Sequence, residues 1–234
     1  MALPRIDAPE YDLTLHNGEA IKYRPFLVKE QKILLLALEE KDQKHILNAM
    51  KKIITNCTFE KVNVEELPIF EVENLFLRLR EKSVGEQIQL RMKCTDEECG
   101  GLTPVTIDLS EVKIDYTKIP DTKIKISESI VVNMKFPTMS NLEEVQNLEN
   151  VEDNFKFLSS CIKNIEAGED VYDMSTTSKE EMMQFVESMT ATQFNMIRDF
   201  FLNLPKLEKT IEYTCVKCGK KQSRTIQGIQ SFLV

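Results

Sequence analysis

Two cysteine pairs constrain this chain more than any other feature. Cys94 and Cys99 bracket Thr-Asp-Glu-Glu and run into Gly100-Gly101, while Cys215 and Cys218 bracket Val-Lys and run into Gly219-Lys220. Although 115 residues lie between Cys99 and Cys215, each pair sits in a tight turn between two strand-like runs, as in a zinc knuckle. Structural zinc takes four thiolates in a closed tetrahedron, and two such turns supply two ligands each. A glycine after each pair lets the backbone turn with φ > 0 and frees amides to point at the sulfurs. The spacing predicts one split zinc ribbon, with Cys94, Cys99, Cys215 and Cys218 as ligands of a structural zinc. Unligated thiols are the alternative. A redox dithiol fits poorly, because a redox C-x-x-C opens a helix, whereas Cys218 leads into Gly219 and a polar strand.

The runs around the pairs set the fold class. Tyr11–Leu15 and Ala20–Phe26 flank Asn17-Gly18, a strong hairpin signal. Residues 27–39 predict a helix that is apolar on every side, Ile33 to Leu38 at its centre. One hairpin and two helices are not expected to cover all of it, so part of Leu34, Leu35 or Leu38 is expected to be exposed or covered by a second protein, with complete burial within the domain as the alternative. Asp42 caps a second helix with Ile46, Leu47, Met50, Ile53, Ile54 and Cys57 on one stripe. A third helix follows Leu67-Pro68, with Val72, Leu75, Phe76 and Leu79 inward, Arg78 and Arg80 outward, and Gly85 as its stop.

Residues 86–93 alternate strictly and form a strand into Cys94, with 102–109 leading out; shorter strands are expected near 123–126 and 130–136. From 138 to 204 the chain reads as helical, apart from a loop-like, acidic stretch between 164 and 177. Ser178…Glu181 and Thr190…Gln193 match capping boxes, and Met182, Phe185, Met189, Phe194, Ile197, Phe201 and Leu204 supply core. Strands at 209–214 and 221–227 flank the second pair. The expected architecture is α+β: an N-terminal hairpin and helices over 1–85, a small antiparallel β section with split cysteine knuckles over 86–137 and 205–234, and an inserted helical segment over 138–204.

Little supports catalysis. His16 and His45, the two histidines, fall at a hairpin turn and in the first turn of a helix, both read as solvent-facing. Seven glycines form neither a phosphate loop nor a dinucleotide fingerprint. A four-cysteine site leaves no coordination position for water. No catalytic or cofactor-binding residues are expected beyond the metal ligands, and no small-molecule substrate. Glu166, Glu169, Asp170 and Asp173 lack the spacing of a calcium loop and read as solvated.

Composition bounds the setting. No apolar run approaches the ~20 residues of a membrane span, and the opening residues lack the apolar core of an export signal. Cys57 and Cys161 read as buried small hydrophobes in a reducing cytoplasm. Net charge is −8 and uneven: residues 137–199 carry four basic and thirteen acidic side chains, whereas 205–234 carry six basic and two acidic. That separation suits protein partners or self-complementary packing, though a solvated helical surface explains the acidic part equally well. Lys217, Lys220, Lys221 and Arg224 around the second knuckle sustain an alternative, a zinc-ribbon factor binding nucleic acid or a transcription complex. The net charge and the acidic Asp96-Glu97-Glu98 weigh against it.

Tyr23-Arg-Pro-Phe-Leu-Val-Lys-Glu30, Ile33–Leu38, Leu67-Pro68 and Phe76-Leu-Arg-Leu-Arg-Glu-Lys-Ser-Val-Gly-Glu86, with Phe185-Val-Glu-Ser-Met189, Gln193-Phe194 and Leu204-Pro-Lys-Leu207, carry a resemblance. Together they resemble the baseplate hub subunit family of T-even-like contractile-tailed bacteriophages, most densely over the first 86 residues. The resemblance implies a late, non-enzymatic protein made in the host cytoplasm. It would act in tail assembly by binding other baseplate hub proteins, with the virion baseplate as a further location. It maps no functional residue onto the chain.

Overall fold

A hairpin opens the computed structural model, which describes residues 6–40, 42–143 and 150–232. Strands β1 (Tyr11–Thr14) and β2 (Ala20–Tyr23) pair antiparallel across a turn in which Gly18 has φ 85°. Helices α1 (Val28–Glu40), α2 (Gln43–Cys57) and α3 (Ile69–Val84) follow. The Asp42 side chain accepts the Lys44 amide at 2.8 Å and starts α2. Along α2, Ile46, Met50, Ile53, Ile54 and Cys57 are buried, one apolar stripe at helical spacing.

The helix buried on most sides is α3 rather than α1. Leu75, Phe76, Leu77 and Leu79 are wholly inaccessible, and Glu71, Asn74, Arg80 and Glu81 are buried with them. Two expectations fail here. Arg78 and Arg80 do not point outward: Arg78 donates to the Glu81 carboxylate and the Val112 carbonyl, and Arg80 reaches the Gly85 carbonyl at 3.4 Å. Nor is His16 a free turn residue. Its backbone amide and ring Nδ1 lie 2.6 and 2.9 Å from Oε1 of fully buried Glu71, and its ring packs edge-on against Phe70. A buried carboxylate must gather hydrogen bonds or lose its charge, so the hairpin turn is drawn onto α3. His45 is exposed beside Glu40.

Strands β3 (Gln87–Lys93) and β4 (Leu102–Asp108) form the first cysteine hairpin. β3 buries every second residue, so the alternating pattern marks one face against the core.

The chain then enters a second compact unit, Glu65–Ile69 with Asp115–Pro205; the first comprises Met1–Val64, Phe70–Ile114 and Lys206–Val234. The segment 138–204, expected to be helical, also contributes two strands. Strands β5 (Lys123–Lys125), β6 (Ile130–Met134), β7 (Ile162–Ala167) and β8 (Asp170–Asp173) build one antiparallel sheet in chain order. Thus β5 and β6 join residues of the expected helical insert instead of the cysteine hairpins. Short α4 (Met139–Glu143) and α5 (Val151–Ser160) lie between β6 and β7, and residues 144–149 of the expected insert fall outside the described residues.

Both capping boxes are formed, Ser178 with Glu181 starting α6 (Lys179–Glu187) and Thr190 with Gln193 starting α7 (Ala191–Leu202). Val132, Met134, Ile162, Ile165, Val186, Ile197 and Phe200 form the core, with Phe155 and Phe194 stacked at 4.5 Å beside it. Burial pushes the Cys57 thiol up to about 11 and the Cys161 thiol up to about 12, so both behave as inert apolar groups.

Back in the first unit, β9 (Glu208–Thr214) and β10 (Lys221–Gln227) form the second cysteine hairpin. Ile229 and Phe232 are then buried, and the Ile229 amide donates to Glu73 Oε1 at 3.1 Å. Leu233 and Val234, the end of the expected tail, lie outside the described residues.

Candidate metal centre

Each cysteine pair begins where a strand ladder ends. The last rung of the first hairpin is Lys93 opposite Leu102, and that of the second is Thr214 opposite Lys221. One bond then closes each knuckle: the Cys94 amide donates to the Gly101 carbonyl at 2.8 Å, and the Cys215 amide to the Lys220 carbonyl at 3.0 Å. Gly100 and Gly219 take φ of 58° and 73°, the left-handed turns that glycine makes without strain.

These turns bring Cys94, Cys99, Cys215 and Cys218 together, with all four sulfurs within 4.8 Å of one another. Cys94 Sγ lies 3.7 Å from Cys218 Sγ, and Cys99 Sγ lies 3.7 Å from Cys215 Sγ. A disulfide needs about 2.05 Å, and all four cysteines are free thiols. Four thiolates around zinc at about 2.3 Å stand about 3.8 Å apart along each tetrahedral edge. Both separations fit that geometry, and each joins one knuckle to the other.

The electrostatics of the cluster favour a cation. The Cys218 and Lys217 amides point at Cys215 Sγ and pull that thiol down to about 6. At Cys99 the Gly101 amide acts in the same direction. Burial and the sulfurs of Cys218, Cys94 and Cys215 outweigh it, pushing Cys99 up to about 12. Four sulfurs this close cannot all ionise in isolation; a divalent cation at their centre removes the conflict.

Outside the four sulfurs lie residues that spacing alone did not reveal. Gln222 Nε2 donates to Cys94 Sγ at 2.8 Å, and its Oε1 accepts the Thr95 amide and the Tyr213 hydroxyl at 3.0 and 2.8 Å. The Tyr213 hydroxyl also lies 2.9 Å from the Lys93 carbonyl, and the Val216 amide donates to Thr103 Oγ1 at 3.2 Å. Gly101 is needed for room: a Cβ there would stand 2.9 Å from Cys215 Sγ and 3.3 Å from Cys99 Sγ. The only sequence signal for Gln222 is its place on the exit strand, directly opposite Tyr213.

Two of the four knuckle cations have partners among the described residues. Lys220 pairs with Asp96, whose carboxyl it holds below the usual range, and Lys217 donates to the Cys99 carbonyl. Both contacts tie one knuckle to the other, leaving Lys221 and Arg224 as the outward cations of this group. Among the described residues, the four cysteines are the one group of three or more His, Cys, Asp or Glu side chains placed to hold a metal ion. Among those residues no helix is long and apolar enough to cross a membrane.

A family model described as "T4 bacteriophage base plate protein" matches residues 8–234, a span that includes both cysteine hairpins and the second unit. No curated protein and no solved structure matches the chain.

Proposed function

The chain belongs to the T4 bacteriophage base plate protein family, and we propose that it acts at the central hub of the baseplate as a non-enzymatic assembly protein. It binds other hub proteins, is made late in the host cytoplasm, and takes its place while the tail is being built. The observation carrying this reading is the family match over residues 8–234, which spans both compact units. In this reading Cys94, Cys99, Cys215 and Cys218 hold one structural zinc. The metal supplies a rigid cross-link between two hairpins more than a hundred residues apart, and the closed donor set gives it no chemistry on a substrate. The protein's own residues form the tetrahedron, aim amides at its sulfurs and fix the two hairpin tips together.

Infected cells carrying phage with this gene disabled should accumulate heads and unassembled tail proteins without complete baseplates. Normal baseplates and infectious tails in that mutant would disprove the assembly role. Quantifying the polypeptide in purified particles decides whether it stays in the virion. Metal analysis of protein purified under reducing conditions should find about one zinc per chain, as the donor set requires; a metal-free, fully folded protein removes the zinc centre.

A further inference from the structure

Helix α1 turns Glu30, Leu34 and Ala37 inward. Its opposite face carries Val28, Lys32, Leu35, Leu36 and Glu39, all exposed. Val28 is 80% accessible, Leu35 54% and Leu36 50%. Three large apolar side chains exposed along one helix face, on its first and third turns with Lys32 between them, mark a surface suited to being covered.

The charges on that face specify what covers it. Lys32 and Glu39 are seven residues apart, so they fall within about 20° of each other around the helix axis, in the middle of the exposed stripe. Leu35 and Leu36 lie midway between them. A two-fold axis between Leu35 and Leu36 therefore maps Lys32 onto Glu39 and each leucine onto the other. Neither Lys32 nor Glu39 makes an ion pair among the described residues. An isologous interface requires one patch that complements itself, and this stripe does so only in the antiparallel sense. The parallel arrangement would set lysine against lysine and glutamate against glutamate.

We infer that the outer face of α1 is a self-association surface, on which a second copy of this chain packs its own α1 antiparallel. The two Leu35–Leu36 centres stack, flanked by two reciprocal Lys32–Glu39 pairs. One helix face is smaller than the ~1,000 Å² of a stable interface, so the dimer is weak, with Kd of about ten to a few hundred micromolar. It forms where copies are concentrated, and the inference stands apart from the assembly role proposed above.

Sedimentation of the full chain under reducing conditions with zinc present tests it, from about 5 to about 500 µM. The weight-average mass should rise from 27.1 kDa toward twice that value, and less steeply in high salt. Leu36→Lys should hold the protein monomeric across the range. Lys32→Glu and Glu39→Lys should each weaken the dimer about tenfold, and the double variant K32E/E39K should recover it. Unchanged far-UV circular dichroism establishes that each variant is folded. A mass fixed at 27.1 kDa throughout, or a charge-swapped double variant that stays as weak as the singles, overturns the inference. A monomer whose α1 variants nonetheless block baseplate formation assigns the face to a different protein and likewise overturns it.

Discussion

Gln222 on β10 donates its side-chain amide to Cys94 Sγ at 2.8 Å, although the two residues stand 128 positions apart in the chain. Its carbonyl oxygen meanwhile accepts the Thr95 amide and the Tyr213 hydroxyl. One side chain thus joins the two knuckles and orients a sulfur of the cluster, the role an outer-shell residue plays at a metal site. Replacing it with leucine keeps the bulk and removes all three bonds. Gln222→Leu should lower zinc affinity about 10- to 100-fold in a competition titration with a chromophoric chelator. An unchanged affinity would show that the contact does not support the metal.

Gly101 gives a steric prediction independent of hydrogen bonding. An alanine Cβ would meet Cys215 Sγ at 2.9 Å and Lys217 Cβ at 3.0 Å, and neither can retreat without opening the second knuckle. Gly101→Ala should cut bound zinc well below one per chain and make the knuckle thiols reactive to an aromatic disulfide reagent. Full metal content in this variant would contradict the close approach.

Glu73 carries the pH prediction. Burial raises its pKa above the ordinary 4.5, with only the Ile229 amide acting against that. The folded state therefore binds this proton more tightly than the unfolded chain. The resulting stabilisation is complete below the unfolded pKa and is lost as pH rises through the folded value. Above that folded value Glu73 is a charge in a half-buried site that disfavours it, which glutamine would avoid while still accepting the Ile229 amide. Glu73→Gln should raise the melting temperature at pH 7, and the advantage should fade as pH falls toward 4. An advantage that is the same at both pH values would mean the carboxylate is not penalised.

How much of this was legible in the sequence follows from the range of each signal. The knuckles, both capping boxes and the alternation of β3 rest on a few consecutive residues, and each appears where spacing put it. The β7–β8 hairpin is hidden in the sequence, because Ile162 and Ile165 stand three apart, a helical interval, and the acidic residues from Glu166 to Asp173 read as a loop. In the structure a bulge opposite Asn133 and Met134 absorbs Lys163, so Ile162 and Ile165 face the core together, opposite Met134 and Val132. Nor could periodicity show that α3 is covered on nearly every side, which is why Arg78 and Arg80 were placed in solvent. The Glu71–His16 contact joins residues 55 positions apart, and nothing local announces it.

The contrast between α3 and α1 predicts opposite responses to the same substitution. Leu77 is wholly inaccessible on α3, whereas Leu36 is half exposed on α1. Leu77→Ala leaves a cavity in packed surroundings and should cost about 2–5 kcal/mol in chemical denaturation. Leu36→Ala should change monomer stability by less than about 0.5 kcal/mol, as surface substitutions do. Equal losses at the two sites would show that α1 is covered within the monomer.

The knuckle cations should separate by what each one touches. Lys220 bonds Asp96 across the two knuckles, and Lys217 donates to the Cys99 carbonyl, so both help hold the hairpin tips together. Reversing Lys220 would place a carboxylate against Asp96 and add negative charge beside the four sulfurs. Lys220→Glu should therefore loosen zinc retention during chelator challenge. Lys221 and Arg224 face outward on β10 and make no ion pair among the described residues, so their charge is available for a partner. The double variant K221E/R224E should keep its zinc and its melting temperature. Rim charges act mainly on encounter, so it should bind hub proteins with an association rate lowered about tenfold or more at low salt, and less so at high salt. Surface-immobilised hub protein and stopped-flow mixing measure that rate directly. An unchanged association rate would exclude this strand from the docking surface. Loss of DNA binding, with association and baseplates unaffected, would instead favour a nucleic-acid role for the basic tip.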